Sequence, residues 1–523
     1  MNVRQARVRL VQMGVALAAA ALIAGCGSQY RSVVTPVNPT GPAGQPESRA
    51  VVVSSSSTTD PGHVTIIDYS GDSVMASVSL LGIGATSLAL DGSGSTGYTI
   101  NSNGTMTSFP AVTTLQYKNE SYLTLPTDAE AVNLFAPTSS LWITDRSTGS
   151  TDIETGSPQS FVDAVSVGST PIMTIGASSS GSRNYTLAQN IANASGLECN
   201  ASPTTQAAGQ VTGIEISTTG YTADSPIPVG KCPVYAVQSS DGKRIFVINR
   251  GSDTVSVINV TKNAIDDCTP FTNPAGQSIT CHPTLPLSLG AVKATGITPF
   301  NGTTGMTQTA GPVYAEYNAT NSQLIVADYD GGTISVIDVP LDEYGNDSNT
   351  YDASGNITGG FGKTHTIKVG NNPASVTVLV DGSRAYTANQ ADSTVSIVNL
   401  SSFMKEKADL AVVGHPRTVV STQNSIYGKV YVASTDTNVI TIISVEDDTV
   451  DTTLSVLGNV VDARVSSQNG TTSSNNNNVS RVPGFGQPCN LPISEFDPTA
   501  TGATLAGCQA QVATTSAAVA KKK

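Results

Sequence analysis

The side chains best suited to acid–base chemistry near neutral pH are four histidines, His63, His282, His365 and His415, and they lie far apart along the chain. A hydrolytic centre would set one of them between a nucleophile and a carboxylate, yet no G-x-S-x-G elbow, H-E-x-x-H helix or Walker loop occurs. His415 falls in a corner loop, His63 in an inter-strand loop, His365 near an outer strand and His282 in an insertion, and each reads as a solvated surface residue. The seven cysteines include no CxxC pair for zinc and no CxxCH for haem, and the histidines form no copper-type cluster. "GSGSTG" at 92–97 has the glycine spacing of a dinucleotide loop, but "YTINSNG" follows where a helix must receive the pyrophosphate. "DYDGG" at 328–332 opens like a calcium loop, but Val339 stands where such a loop needs its twelfth-position Glu, so the stretch reads as a polar turn. The expectation is a chain with no catalytic residues, no metal and no cofactor, and not an enzyme.

Only 12% of the 523 residues are charged, so the surface is hydrated mainly through hydroxyls and amides. Acids (39) outnumber bases (26), a balance that repels phosphate backbones and excludes nucleic acid as the expected partner. At the N-terminus, Arg4, Arg7 and Arg9 precede an apolar run from Val11 to Ala24, which is too short to span a bilayer comfortably and has the pattern of a secretory signal. Its end, Ile23-Ala24-Gly25-Cys26, resembles the lipobox of bacterial lipoproteins. That resemblance implies a signal peptide over 1–25, lipidation of Cys26 and a membrane partner through the lipid. Gly27 is not the Asp of inner-membrane retention, so the implied address is the outer membrane. Cleavage there takes the formal charge from −13 to −16. Residues 26–48 are rich in Pro, Gly and Ser and read as a flexible tether. Setting Cys26 aside leaves Cys199, Cys232, Cys268, Cys281, Cys489 and Cys508, an even set for an oxidising compartment. Proximity favours Cys199–Cys232, Cys268–Cys281 and Cys489–Cys508, although six cysteines allow fifteen pairings.

Any site must be positioned by the elements, and these repeat. The tetrad "YTAN" at 386 has counterparts in "VVVS" at 51, "YTIN" at 98, "LWIT" at 141, "YTLA" at 185, "FVIN" at 246, "IVAD" at 325 and "YVAS" at 431. The intervals are 47, 43, 44, 61, 79, 61 and 45, a base period near 45 stretched by insertions in three places. Alternating β-branched and aromatic residues make each tetrad a strand. Ten residues on, a hydroxyl recurs at Ser108, Ser256, Ser335, Ser396 and Thr441 inside a second alternating run such as "TVSVI" at 254–258. Before the tetrad stands Asp91-Gly92, Asp241-Gly242 or Asp381-Gly382, which supplies a tight hairpin turn. Further upstream "VGSTP" (167–171), "VGKCP" (229–233), "VGNNP" (369–373) and "VGHP" (413–416) place a Gly to turn a corner and a Pro to open a strand.

Four short strands per 45 residues is the arithmetic of a β-propeller blade, and the fold class expected is all-β. "DGKRIFVINRGSDTVSVINV" (241–260) and "DGSRAYTANQADSTVSIVNL" (381–400) resemble the YVTN-repeat β-propeller family, as do 323–339 and 428–445 more loosely. The resemblance covers 49–467 and implies a propeller of four-stranded antiparallel blades, eight by the tetrad count or seven by family habit. The first unit lacks an inner strand, and "NVVDARVSS" (459–467) has the pattern to complete that blade and close the ring. The longest insertions lie at 189–210 and 266–310, and 468–523 reads as a low-complexity tail with a disulfide. In a propeller, loops between second and third strands share a face with those joining blades. The candidates there for contact with a ligand are Lys231, Arg250, Asp253, Asp328, Tyr329, Asp330, Asn389, Asp392, His415, Arg417 and Asp436. The function expected is a non-catalytic binding or scaffolding platform for an unknown protein or glycan, on an outer-membrane lipoprotein. The alternatives are a lactonase-like hydrolase working at the channel mouth and an accessory domain of a periplasmic redox system.

Overall fold

The computed structural model describes most of the chain between Arg49 and Ser466; residues 1–48, 467–523, 191–207, 288–309 and several shorter stretches lie outside the described set. Signal, tether, tail, Cys26, Cys199, Cys489 and Cys508 therefore fall outside it. Among the described residues every regular element is a β-strand. Eight antiparallel sheets, each a four-stranded blade, follow one another in a ring, so the chain is an eight-bladed β-propeller; numbered in chain order, blades 2 to 8 span 89–124, 131–166, 171–231, 233–286, 312–368, 373–411 and 416–455.

Blade 1 is composite. Its strands Arg49–Ser55, Pro61–Asp68 and Ser73–Ile83 come from the start of the ring, and its innermost strand, Asn459–Val465, comes from the end. The two termini are in register, with Ala50 opposite Val465 and Val52 opposite Ala463. Ser466 extends the seam: its N–H donates to the Arg49 carbonyl at 2.9 Å, and its Oγ accepts from the Arg49 N–H at 2.8 Å. At the rim, the Lys429 ammonium of blade 8 bonds both Asp72 of blade 1 and Asp451.

The unbroken run "VVV" at 51–53 follows from this architecture. Val51 and Val53 pack with Leu88, Leu90 and Phe109 of blade 2. Ala50 and Val52 point the other way, to Tyr431, Ala433, Ile440 and Ile442 of blade 8. A strand buried on both faces has no polar side to alternate with, and each such valine contributes about 1.5–3 kcal/mol by leaving water. The first residue of the tetrad spans the seams. The Tyr386 hydroxyl of blade 7 donates to Asp448 of blade 8, and Phe246 of blade 5 stacks on Tyr317 of blade 6 at 6.2 Å.

Register corrects the repeat alignment in two copies. Ala131 pairs with Asp145 as Pro233 pairs with Asn249, so the third tetrad is Trp142–Asp145, one residue beyond "LWIT". Trp142 then takes the aromatic position and meets Tyr221 of blade 4 edge-on at 5.4 Å. In blade 2, Thr107 and not Ser108 sits opposite the tetrad's second residue, because the loop after Asn101 is one residue shorter.

The corner between blades also differs from expectation. In three of the motifs the left-handed turn falls on the residue before proline, at Thr170, Cys232 and Asn372 (φ 52°, 50° and 53°). Gly230 and Gly370 have no positive φ. They are required because an added Cβ would stand 2.6 and 2.7 Å from Cγ of Asn249 and Asn389. Pro171, Pro233, Pro312, Pro373 and Pro416 each open an inner strand, and a bulge follows each one.

Candidate functional site

On the face that joins blade to blade, the tetrad's last residue works as a clasp. Asn389 Nδ2 donates to Thr394 Oγ1 (3.1 Å) and Ser396 Oγ (2.9 Å), and Ser396 Oγ also accepts from the Gly370 N–H at 3.2 Å. Blade 5 repeats the arrangement with Asn249, Thr254, Ser256 and the Gly230 N–H. Asp328 inverts it, accepting from Ser335 Oγ (2.6 Å) and Thr333 Oγ1 (3.3 Å). Burial drives its carboxyl well above the usual range, and the Ser335 and Thr333 hydroxyls only partly offset this. The recurring hydroxyl therefore ties the third strand to the connection entering its own blade.

The other candidates stand in similar ties. Asp392 accepts from the Asn371 N–H (2.6 Å) and Nδ2 (3.0 Å), and Asp436 makes the same contacts with the His415 N–H (2.9 Å) and Nδ1 (2.6 Å). The Lys231 N–H donates to Ser252 Oγ, and Arg417 lies buried at the start of an inner strand. Only the seam between blades 5 and 6 gathers several of them. There Arg250 donates to both Asp330 oxygens (3.1 and 3.2 Å) and to the Gly311 carbonyl, and its guanidinium lies over the Tyr329 ring at 5.5 Å. Asp253 accepts from the Gly311 N–H, and the Tyr329 hydroxyl donates to Gln390. Burial raises the Tyr329 phenol despite Arg250, and raises the Asp253 carboxyl despite the Gly311 N–H and Arg250. Within "DYDGG", Asp328 Oδ2 and both Asp330 oxygens are engaged in these bonds.

The opposite face carries an accessory lobe. The connections between third and fourth strands of blades 5 and 6 are enlarged there, each with its own two-stranded sheet: Phe271–Thr272 with Ser278–Ile279, and Asn349–Tyr351 with Ile357–Gly360. A Cys268–Cys281 disulfide closes the first insertion. Cys232 is disulfide-bonded too. The insertions hold each other. Asn273 Nδ2 donates to Asp342 Oδ2 at 3.1 Å, and His282 Nδ1 bonds Asp347 Oδ2 at 2.8 Å. The His282 ring lies over Phe361, centroids 5.5 Å apart.

Beneath the lobe, Arg244 Nε donates to Asp266 at 3.0 Å and Nη2 to the Gly345 carbonyl at 2.9 Å, with Asp347 Oδ1 3.9 Å away. Burial raises the Asp347 carboxyl, and the His282 bond opposes that shift. The result is an imidazole with one nitrogen committed to a buried carboxylate, 37% of its side chain exposed, and its Nε2 without a hydrogen bond among the described residues. Such a dyad is arranged as a general base, but no nucleophilic side chain bonds Nε2 among the described residues. Of the residues around the dyad, only His282 stands out in the sequence, as one of four histidines. The sign that a second insertion existed was the 61-residue interval from 325 to 386.

No family model matches the chain, and no curated protein matches it. Among solved structures, AztD of Citrobacter koseri is similar at 12% identity and a TM-score of 0.50, over 80% of this chain and 97% of that one. The dihydro-heme d1 dehydrogenase NirN in complex with DHE is similar at 11% identity and a TM-score of 0.50, over 83% and 78%. The periplasmic gluconolactonase PpgL of Pseudomonas aeruginosa aligns at 12% identity and a TM-score of 0.46, over 81% and 100%. At these identities what this chain is similar to, in AztD and NirN, is the propeller architecture.

Proposed function

We propose that the protein is a binding platform of the bacterial cell envelope, a YVTN-type propeller tethered to the outer membrane by a lipid on Cys26. One observation carries this function: on the blade-joining face polar side chains such as Asn389 and Arg250 are engaged in bonds within a blade and between blades, while a built, covalently closed lobe stands on the other face. The lobe lies beyond the four strands that each blade requires. The Cys268–Cys281 bond suits an exported protein, since such bonds persist in oxidising compartments. Cross-linking in intact envelopes tests the platform: a reproducible protein or glycan adduct is expected, and repeated absence of any adduct overturns it. Cys26→Ser is expected to move the protein from the membrane to the soluble fraction; a membrane-bound variant would overturn the anchor.

A hydrolytic function has one observation in its favour, the His282–Asp347 dyad with its open Nε2. Lactone opening by the purified protein, abolished by His282→Ala, would replace the platform by an enzyme.

A further inference from the structure

Blade 6 carries a carboxyl where blades 5 and 7 carry an amide. Asp328 ends the tetrad strand of blade 6 at the place of Asn249 and Asn389, and it meets the same pair of hydroxyls on the following strand. In the blade 7 clasp Nδ2 donates to both hydroxyls, at 2.9 and 3.1 Å. In blade 6 the two distances are unequal, with Asp328 Oδ2 2.6 Å from Ser335 Oγ and 3.3 Å from Thr333 Oγ1. A carboxylic acid has one proton where an amide has two, so it can donate to one hydroxyl while accepting from the other. The shorter contact has the length of an O–H to O bond.

The charges of the seam between blades 5 and 6 point to the same state. Asp328 and Asp330 are wholly buried there and Asp253 is half-buried. Arg250 donates to both oxygens of Asp330, and Asp253 accepts from the Gly311 N–H. Asp328 has hydroxyls for partners, and its Oδ1 has no hydrogen bond among the described residues. The strands beside it offer no compensation. Lys368 of the outer strand lies opposite Thr333 but is exposed to water, and Glu316 of the inner strand lies opposite Ile325, whose side chain takes the other face of the blade. The Tyr329 phenol, raised by burial, is neutral. Burial drives the Asp328 carboxyl well above the usual range, and the nearby Asp253 carboxylate adds to that shift. A further uncompensated carboxylate in a dry seam is costly, and a group so placed takes up a proton instead.

We propose that Asp328 is a proton-bearing latch: its Oδ2–H donates to Ser335 Oγ as the amide of Asn389 donates to Ser396, and loss of that proton at alkaline pH loosens blade 6 at its seam with blade 5. The step is a deprotonation, with the proton passing to hydroxide or a buffer base and no other covalent bond broken. The latch is independent of the platform function, although the lobe bridges the same two blades on the opposite face. The folded chain keeps this proton while the unfolded chain gives it up above the ordinary value of 3.8. Stability therefore falls as pH rises from there to the point at which the folded latch ionises, and levels off beyond it.

Urea unfolding of the full chain from about pH 5 to about pH 9 tests this, with Asp328→Asn as the matched variant. Asparagine fills the same position in two other blades, and an unchanged melting temperature at the acid end checks that the variant folds. The unfolding constant of the parent is expected to rise more steeply with pH than that of the variant, by up to about ten-fold per pH unit. An infrared difference spectrum of parent against variant at about pH 6 is expected to show the carbonyl band of a protonated carboxyl. That band should fade at the pH where the difference in stability levels off. On its loss, amides of Gln323–Asp328 and Thr333–Asp338 are expected to lose protection before those of Arg384–Asn389 in blade 7, once the intrinsic rise of exchange with pH is allowed for. Absence of the band, or parallel stability curves for parent and variant, overturns the latch. Equal loss of protection in blades 6 and 7 overturns it too, since the effect would then be global.

Discussion

Gly370 is small because Asn389 occupies the space a side chain would need. Gly370→Ala is predicted to cost about 1–3 kcal/mol, the usual range for overpacking. Adding Asn389→Ala is predicted to recover part of that loss, because the clash partner is gone. Urea unfolding of the two single variants and the double variant measures the coupling, and strict additivity would show that the contact does not matter. Glu154 of blade 3 is a second residue with a measurable signature, since burial, aided by Asp152, pushes its carboxyl up from 4.5 to about 7. The native state then holds that proton more tightly than the unfolded chain, so its contribution to stability falls as pH rises from about 4.5 to about 7. Glu154→Gln is predicted to flatten that part of the stability profile and to unfold at higher urea than the parent at about pH 8. At this scale the sequence displayed the recurring hydroxyl, Gly and Asn, but not their mutual contacts. Gly370 and Asn389 are distant along the chain, and only the folded corner brings them together.

At the scale of elements, blade strands were legible wherever β-branched alternation and a fixed spacing coincided, as in 241–260 and 381–400. The 340–362 insertion was legible only as a stretched interval; its structure was not, because a stretch rich in Asn, Ser, Gly and Asp has the composition of any loop. Its structure comes from long-range bonds such as Asn273–Asp342 and His282–Asp347. Polar residues at fixed repeat positions made the blade-joining face stand out in the sequence, and there Asn389 bonds Ser396 and Arg250 bonds Asp330. The disulfide is predicted to matter mainly to the lobe. Cys268→Ser with Cys281→Ser removes a constraint worth about 3 kcal/mol for a loop of this size. It should speed amide exchange over 266–287 while the inner strands of blade 5, Pro233–Gln238 and Arg244–Asn249, stay protected. Uniform acceleration through blade 5 would show that lobe and blade open as one unit.

At the scale of the whole molecule, the described residues form a ring whose stability depends on its seam. Eight repeats each bury apolar surface only against their neighbours, so one unclosed junction would expose two sheet faces and two strand edges at once. The tetrad count and the missing inner strand of the first unit made this architecture readable from the sequence. Blade number stayed open between eight, by the tetrad count, and seven, by the habit of the family the repeats resemble. Closure is the claim on which the lobe's position and the platform both depend, and amide hydrogen exchange across Asn459–Val465 in the intact protein tests it most directly. Those amides are predicted to exchange as slowly as the inner strands of blades 5 to 7. Exchange at the rate of a frayed terminus, with the amides of Arg49–Ser55 equally unprotected, would contradict the ring.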